Sequence, residues 1–387
     1  MLTILSKNDN ISILFIIIIL NYILNLFFNY DVFLKTCFLC YILYVLYCLF
    51  FINKNNYLLI FIILLFVLSL GTPTVSWDAR SIWLFKAKQI FFEKSIFNFD
   101  YKYAFFSNFN YPNIVPTFNS SYVTLIGFWN EVYPKSGNIL FLIPTLFYFE
   151  KEFKNNYFLI FLSIILFVLG RLLIDGTMDG ILSLYFVTTT YIYYTLLYNK
   201  YKNNVIILLV VISIIFTLLK LEAVILLLSV FISYFVISFH NKKINYNFIF
   251  IILITFIPIL SWHLNLFFFS DNIKTSQSVF SITAIYYNIK ILDNYLLISK
   301  YILLNEKLLL SFLIFCLSSI KLKSIFSSEN FFIFLIFFIY LIFLFIAYLT
   351  TNLDLQWHLD SSATRVIKPL ILLLLIFSLK NLKKINE

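Results

Sequence analysis

The sequence predicts an all-α protein that crosses a membrane about twelve times, and three observations support this fold class. Of its 387 residues, 62% are hydrophobic and 12% are charged, whereas a soluble domain has about 25% charged residues. The mean hydropathy is +0.96, so lipid rather than water must surround most of the chain. The apolar residues also fall into runs close to the roughly 20 residues that a membrane-spanning helix needs. The whole chain, 1–387, is therefore expected to form one integral membrane domain.

Twelve apolar runs are predicted to be helices, and two longer segments between them are predicted to lie outside the membrane. The first of these segments, 72–129, is expected to contain interfacial helices, and the second covers 267–302. The predicted membrane helices are 11–29, 33–52, 57–72, 130–150, 157–174, 180–199, 204–219, 222–239, 246–266, 303–320, 330–349 and 366–380.

The charges of the connecting segments predict how the chain is oriented. If both termini are cytoplasmic, the inner segments contain thirteen lysines and five acidic residues, and the outer segments contain fifteen basic and thirteen acidic residues. An excess of positive charge in short cytoplasmic loops is the normal pattern for a multi-pass protein. We therefore expect a bacterial-type inner or plasma membrane protein whose two long segments are extracytoplasmic.

Residue types that are scarce in this chain concentrate on the predicted outer side. Aromatic belts normally mark both interfaces, so anchoring alone does not explain a one-sided set of tryptophans. The pattern predicts that the functional site lies on the outer face. The residues concerned are all the Trp (Trp77, Trp83, Trp129, Trp262, Trp357), all the Arg (Arg80, Arg171, Arg365) and all the Gly (Gly71, Gly127, Gly137, Gly170, Gly176, Gly180).

The densest outer motif is SWDARSIWLFKAKQIFFEK, residues 76–94, which has the pattern of an amphipathic helix lying in the interface. A juxtamembrane anchor with snorkelling lysines is the alternative. Asp78 favours a functional role, because a carboxylate at the end of a membrane helix costs free energy unless it is paired or used. YPNIVP, residues 111–116, predicts a second, broken interfacial helix.

Two outer turns contain further charged residues. GRLLIDGTMDG, residues 170–180, places Asp175 and Asp179 four residues apart, either as a Gly-rich hairpin turn or as a second carboxylate facing Asp78. Such a carboxylate would bind a metal or orient an acceptor hydroxyl. TLLKLEAV contains Lys220 and Glu222, for which a solvated turn is the alternative.

The last outer motif is TTNLDLQWHLDSSATRVIKP, residues 350–369. Arg365 and Lys368 are three residues apart and suit a phosphate at headgroup depth, although interface anchors have the same pattern. His358 follows Trp357, and a single loop histidine is more often a hydrogen-bonding residue than a metal ligand.

Several function classes are disfavoured. The chain has no Gly-rich phosphate loop, no G-x-S-x-G elbow and no zinc-ligand spacing. The basic residues form no continuous patch, so nucleic acid is not an expected partner. Cys37 and Cys40 form a C-x-x-C within an apolar run, where thiols usually act as small buried hydrophobes.

In order along the chain, these motifs resemble those of the GT-C superfamily of glycosyltransferases, in particular bacterial relatives of the protein mannosyltransferases and the aminoarabinose transferases. The resemblance covers most of the predicted outer surface. WDARSIWLFKAK resembles the start of the first large outer loop in that family. The Y-P-x-x-x-P, G-R…D, K-x-E-A and D-L-x-W-H-L…S…R segments follow in the same order.

The resemblance implies a GT-C-like fold and an inverting glycosyltransferase. Such an enzyme moves a sugar from a polyprenyl-phosphate donor to a lipid, glycan or protein acceptor on the outer face. Asp78 would be the general base, with Asp179, or otherwise Asp175, as the second acidic residue. The remaining expected site residues are Arg365, Lys86, Lys220, Lys368 and Arg80 for the donor phosphate, and Trp77, Trp83, Trp357, His358 and Glu222 for sugar or interface contact.

Some features stay open at this stage. The first loop has a single Asp where several members of the family have an acidic pair, and Thr364 stands where an acid precedes the last helix. Participation of a divalent metal, Mg²⁺ or Mn²⁺, is therefore undecided. A transporter or flippase of lipid-linked saccharides is the main alternative, and an O-antigen polymerase or ligase is another.

Overall fold

A computed structural model of the chain describes residues 6–28, 30–52, 55–96, 108, 110–154, 156–198, 203–241, 246–269, 286–322 and 327–386. Every regular element in this part of the chain is a helix, which confirms the all-α class. Parts of both predicted outer segments, 72–129 and 267–302, lie outside the described residues.

Eight stretches of the described chain are long and apolar enough to cross a membrane, which supports a multi-pass membrane protein. The last stretch, Leu355–Asn386, contains two helices that meet at Ile367. The helices of these stretches are α1 (Lys7–Phe27), α2 (Asp31–Tyr47, continued by a π-helical turn Cys48–Ile52), α7 (Asn156–Leu169, continued by a 3₁₀ turn Gly170–Leu173), α8 (Asp179–Tyr198), α10 (Leu221–His240), α11 (Tyr246–Phe269), α14 (Ser328–Leu349), α15 (Leu355–Val366) and α16 (Lys368–Asn386).

Four other predicted membrane segments are helical but do not meet the same criteria, so the count of about twelve stays a prediction. Helices α3 (Asn56–Gly71) and α9 (Asn203–Thr217) are short, and α6 (Tyr133–Glu152) has charged residues in both end turns. Helix α13 (Glu306–Lys321) is bent by 65° against the preceding helix, α12 (Leu292–Ile302), and this pair would add a ninth span.

The described part of the predicted first outer segment contains two α-helices. The π-helical turn Ala79–Trp83 leads into α4 (Leu84–Glu93), and α5 covers Ile114–Ile126. Unlike the predicted interfacial helix, α5 packs inside the bundle against α1, α2 and α6. Its hydroxyl side chains tolerate burial because they donate to backbone carbonyls four residues earlier, as Thr117 does to Asn113.

Polar residues between the apolar runs define where several helices begin. Ser6 and Asp9 form a reciprocal capping box at the start of α1. Asn305, Ser327 and Asp354 each accept a hydrogen bond from a backbone N–H in the first turn of α13, α14 and α15. These caps explain why breaks in hydrophobicity predicted most helix ends to within a few residues.

The packing of the helices brings separate outer turns together. α16 lies against α7, α8 and α13, α10 lies against α8 and α14, and α3 lies against α6. The start of α8, the start of α10, the end of α15 and the segment after α3 consequently meet at one end of the bundle. All four places contain charged residues that the sequence motifs had singled out.

Candidate functional site

Five side chains of alternating charge form a continuous chain at this end of the bundle. Glu222 pairs with Lys220 at 2.9 Å, and Lys220 pairs with Asp179 at 3.1 Å. Asp179 also contacts Arg365 at 3.4 Å, and Arg365 pairs directly with Asp78. We call this set the charge chain, and it joins four of the five sequence motifs.

The two ends of the charge chain differ from its middle. Both carboxylate oxygens of Asp179 are engaged, Oδ1 by Lys220 and Oδ2 by Arg365, and its side chain is 6% exposed. Asp78 and Glu222 are 22% and 28% exposed. The terminal residues are therefore more exposed than Asp179, which holds the two cations in place.

Local backbone structure positions each member of the charge chain. Asp179 is the first residue of α8, and a Cβ at the next residue, Gly180, would lie 2.7 Å from the carbonyl oxygen of Leu172. Only glycine allows the 3₁₀ turn and the start of α8 to approach so closely. Lys220 directly precedes α10, and Asp78 directly precedes the π-helical turn that leads into α4.

The structure separates the two aspartates that the sequence left as alternatives. Oδ1 of Asp175 accepts hydrogen bonds from the backbone N–H and the hydroxyl of Thr177, at 2.9 Å and 2.7 Å. Asp175 is thus engaged in its own turn, whereas Asp179 contacts both cations of the charge chain. This geometry favours Asp179 over Asp175 as the second acidic residue of a site.

Lys135, which the sequence motifs do not include, connects the first outer segment to the aspartate turn. Its ammonium group donates to the backbone carbonyl and, at 3.4 Å, to the hydroxyl of Thr72 at the end of α3. Its stem lies against Gly176, where a Cβ would come within 3.2 Å of Lys135 Cγ and 3.3 Å of Ala79 Cβ. A lysine in the first turn of an otherwise apolar helix was the signal that could have identified it.

Tyr111, which begins the Y-P-x-x-x-P segment, also lies within this site. Its ring stacks on Trp83 at 5.4 Å, and Lys220 Nζ lies 5.8 Å from the ring centre. Burial and the charge of Glu222 raise the pKa of the Tyr111 phenol, so the hydroxyl keeps its proton. Sequence reasoning identified the segment but gave this tyrosine no role.

Two buried side chains hold the backbone of the Tyr111 segment. Lys86 donates to the carbonyl of Tyr111 at 2.8 Å, and Trp262 donates to the carbonyl of Asn110 at 3.0 Å. Lys86 is 1% exposed, and burial lowers its pKa well below the ordinary lysine value. These contacts favour a positioning role for Lys86 and do not favour its predicted contact with the donor phosphate.

The other predicted phosphate ligands divide into two groups. Arg365 and Lys220 are part of the charge chain. Burial acts to lower the pKa of Lys220, but Asp179 and Glu222 hold it well above the ordinary lysine value, so it stays charged. Arg80 and Lys368 lie outside the chain and donate to the carbonyls of Val75 and Val168, at 3.1 Å and 2.6 Å.

The predicted aromatic contacts are also distributed unevenly. Trp83 is buried beneath Tyr111, whereas Trp77 and Trp357 are more than half exposed. Such exposure suits interface anchoring as well as sugar stacking. His358 shares a hydrogen bond of 2.9 Å with the Thr351 hydroxyl and lies edge-on to the Tyr348 ring at 5.0 Å.

The charge chain has an unfilled hydrogen-bonding position at Glu222. Oε2 of this residue is buried and has no hydrogen-bond partner in the described part of the chain. An unpartnered buried carboxylate oxygen costs free energy unless a donor approaches it. With three acids and two cations, the charge chain is better suited to hydrogen-bond donors than to a further anion.

A divalent metal does not fit the site in this arrangement. No group of three His, Cys, Asp or Glu side chains could hold a metal ion among the residues that the structure describes. Asp78 and Asp179 are bridged by the guanidinium of Arg365, which occupies the position that a shared cation would take.

Comparison with known proteins identifies no relative of this chain. The resemblance to GT-C glycosyltransferases consequently rests on the sequence motifs, and the site itself rests on its geometry. No protein-family model matches the chain, and neither a curated protein nor a solved structure matches it.

Proposed function

We propose that this protein is an inverting membrane glycosyltransferase that moves a sugar from a polyprenyl-phosphate carrier to an acceptor hydroxyl on the extracytoplasmic face. One observation carries the proposal: charged residues from four motifs, far apart in sequence, meet in the charge chain. Ordinary interface anchors have no reason to converge, because each needs only lipid headgroups and water around it.

In the proposed reaction, Asp78 is the general base. The oxygen of the acceptor hydroxyl attacks the anomeric carbon of the donor sugar as its proton passes to the Asp78 carboxylate. The bond between the anomeric carbon and the phosphate oxygen breaks, and the bonding electrons leave with the polyprenyl phosphate. Attack from the face opposite the phosphate inverts the configuration at the anomeric carbon, and the proton later passes from Asp78 to solvent.

Arg365 supports this reaction in two ways. Its guanidinium contacts Asp78 and Asp179 together, which fixes the base in orientation without a mobile counter-ion. It is also a cation adjacent to the base, so it can stabilise negative charge that develops on the departing phosphate. Asp179 and Lys220 act behind it as positioning residues.

The distribution of ionisable residues favours an enzyme over an ion-coupled transporter. In the helices predicted to cross the membrane, each described Asp, Glu, Lys, Arg and His lies within about two turns of a helix end. A transporter normally places such residues near the middle of the membrane. The three arginines of the chain also give little support to an O-antigen polymerase or ligase, which relies on arginine-rich outer loops.

Incubation of the purified protein with labelled polyprenyl-phosphate sugars tests the proposal. We expect sugar transfer with release of the lipid phosphate, and we expect the Asp78→Asn variant to insert normally but to lose transfer. Movement of the intact lipid-linked saccharide across a liposome membrane, without release of the lipid, would instead identify a flippase. Polymerisation of the saccharide on its carrier would identify a polymerase.

A further inference from the structure

A second group of cations lies beside the charge chain, at the outer ends of three helices that pack together. Lys307 is in the first turn of α13, Lys368 is the first residue of α16, and Arg171 lies in the 3₁₀ turn that ends α7. Lys307 Nζ is 5.4 Å from the Phe167 ring centre, and Lys368 donates to the carbonyl of the next residue, Val168. Arg171 follows Val168 by three residues at the same helix end, and on that position we group it with Lys307 and Lys368 as the cation patch.

The cation patch contains no ion pair. Within the described residues, none of its three side chains lies within salt-bridge distance of a carboxylate, although Glu306 precedes Lys307. Some other cations on the predicted outer side are paired with acids, such as Lys88 with Glu131 and Lys94 with Asp31, whereas Arg80 donates to a backbone carbonyl. Lys307 and Lys368 also repel each other, so the binding of an anion stabilises the patch.

The surroundings of the cation patch are apolar and exposed. Phe167, Leu304 and Leu310 are 59%, 64% and 50% exposed, as expected of side chains that face lipid. The N-terminal turn of α13 also lies at this end of the bundle, and its helix dipole adds partial positive charge. An anion with an apolar chain therefore suits the patch better than a free anion does.

From these observations we infer that Arg171, Lys307 and Lys368 bind the phosphate headgroup of a polyprenyl-phosphate lipid. This inference rests on the proposed function for the identity of the lipid. Lys368 follows Arg365 by three residues, so a phosphate held at the patch lies next to the charge chain. In this arrangement the cation patch binds the phosphate of the donor, and the partly exposed carboxylates of the charge chain bind its sugar.

This division accounts for the charges of both regions. The charge chain has an excess of acid, and carboxylate oxygens accept hydrogen bonds from sugar hydroxyl groups. The cation patch has an excess of base and, among the residues that the structure describes, no carboxylate partner, which suits a phosphate. Two of its residues, Lys307 and Arg171, had no predicted role in the sequence.

A binding experiment on the full chain in detergent tests the inference. Binding of a polyprenyl monophosphate without sugar is measured by native mass spectrometry, with phosphatidylglycerol and inorganic phosphate as competitors. The double variant Lys307→Gln/Lys368→Gln should bind at least about tenfold more weakly, because it loses contacts to a charged group. The conservative variant Lys307→Arg/Lys368→Arg should keep most of the affinity, which shows that the fold tolerates change here.

The matched control is Lys88→Gln/Lys94→Gln, which removes two outer lysines that already have acidic partners and should not alter binding. Wild-type affinity in the Lys307/Lys368 glutamine variant, or an equal loss in the control, would overturn the inference. So would displacement of the polyprenyl lipid by equimolar phosphatidylglycerol or by inorganic phosphate.

The outcome is independent of the test of sugar transfer. If the patch binds the lipid phosphate but no sugar is transferred, the proposed reaction fails and the binding site stands. If sugar is transferred but the glutamine variant binds as the wild type does, the reaction stands and the site at the cation patch fails.

Discussion

The two ends of the bundle, predicted to be outer and inner, both contain ion-paired side chains, but they arrange them differently. At the inner end, Glu329 of α14 accepts hydrogen bonds from Tyr194 of α8 and from Lys380 and Lys384 of α16, the two lysines at 3.3 Å and 2.5 Å. One acid thus accepts from three donors, and we call these four residues the inner cluster. The carboxylates at both ends are partly exposed, 31% for Glu329 against 22% and 28% for Asp78 and Glu222, but Oε2 of Glu222 has no hydrogen-bond partner in the described part of the chain.

The difference separates a structural role from a functional one. Next to the inner cluster, Asn381 of α16 donates to Ser318, Ser319 and Asn330, so polar contacts tie α13, α14 and α16 together. Such a network holds helices in one arrangement. The charge chain also connects helices, but it leaves Glu222 Oε2 without a partner in the described structure.

The largest expected effect on stability comes from removing the cation at the centre of the charge chain. Lys220→Met leaves Glu222 without its cation and leaves Asp179 with Arg365 alone. Removing one partner of a buried ion pair lowers the free energy of unfolding by about 3–5 kcal/mol, since the other charge stays buried without compensation. We expect a large fall in Tm in detergent together with loss of sugar transfer.

A second substitution shows whether the loss comes from uncompensated charge. Lys220→Met/Glu222→Gln removes one of the two acids that lost their partner, so its Tm should lie above that of the single variant. An unchanged Tm in Lys220→Met would mean that the charge chain does not stabilise the outer end.

A smaller effect is expected from the close packing behind Asp78. Gly176 has a φ of +88°, and a Cβ there would come within 3.2 Å of Lys135 and 3.3 Å of Ala79. Gly176→Ala should cost about 1–2 kcal/mol from the left-handed backbone alone, which differential scanning fluorimetry detects as a lower Tm. Sugar transfer should also fall, because Ala79 adjoins the proposed base.

Gly71→Ala is the matched control for this substitution. It lies in the last turn of α3, and a Cβ at this position would have no atom within 4 Å. Alanine should therefore be neutral or should stabilise the helix by up to about 1 kcal/mol. An equal loss of stability in both glycine variants would contradict the packing explanation.

The smallest expected effect is at Asp175, and it tests the choice between the two aspartates. Asp175→Asn keeps the side-chain oxygen that accepts from Thr177, so its stability should change by less than about 0.5 kcal/mol. Its rate of sugar transfer should stay close to that of the wild type. If Asp175→Asn abolishes transfer while Asp179→Asn does not, the assignment of the second acidic residue is reversed.

Much of the fold could be predicted from the sequence because the bilayer imposes a simple rule on length and apolarity. Each predicted run coincides with a helix, and polar caps such as Asn305 and Ser327 lie where the apolar pattern breaks. The burial of α5 could not be predicted in the same way. Its hydroxyl groups give α5 a polar sequence, yet hydrogen bonds within the helix make these groups compatible with the bundle interior.

The site could be predicted only in part. Charged residues at helix ends identified Asp78, Asp179, Lys220 and Arg365, but sequence spacing does not show that they contact one another. Lys86 illustrates the limit, because an amphipathic pattern places a lysine on a polar face and cannot reveal that its ammonium group binds the carbonyl of Tyr111. Contacts between distant segments depend on how helices pack, which local patterns do not encode.

The central claim is that the outer end carries out the reaction and the inner end holds the helices, and one paired measurement tests it. Sugar transfer per folded molecule and Tm are measured for Asp78→Asn and for Glu329→Gln. We predict that Asp78→Asn lowers transfer by about 10²–10⁴-fold with little change in Tm, and that Glu329→Gln lowers Tm while transfer per folded molecule is unchanged. Wild-type transfer by the Asp78→Asn variant would contradict the account.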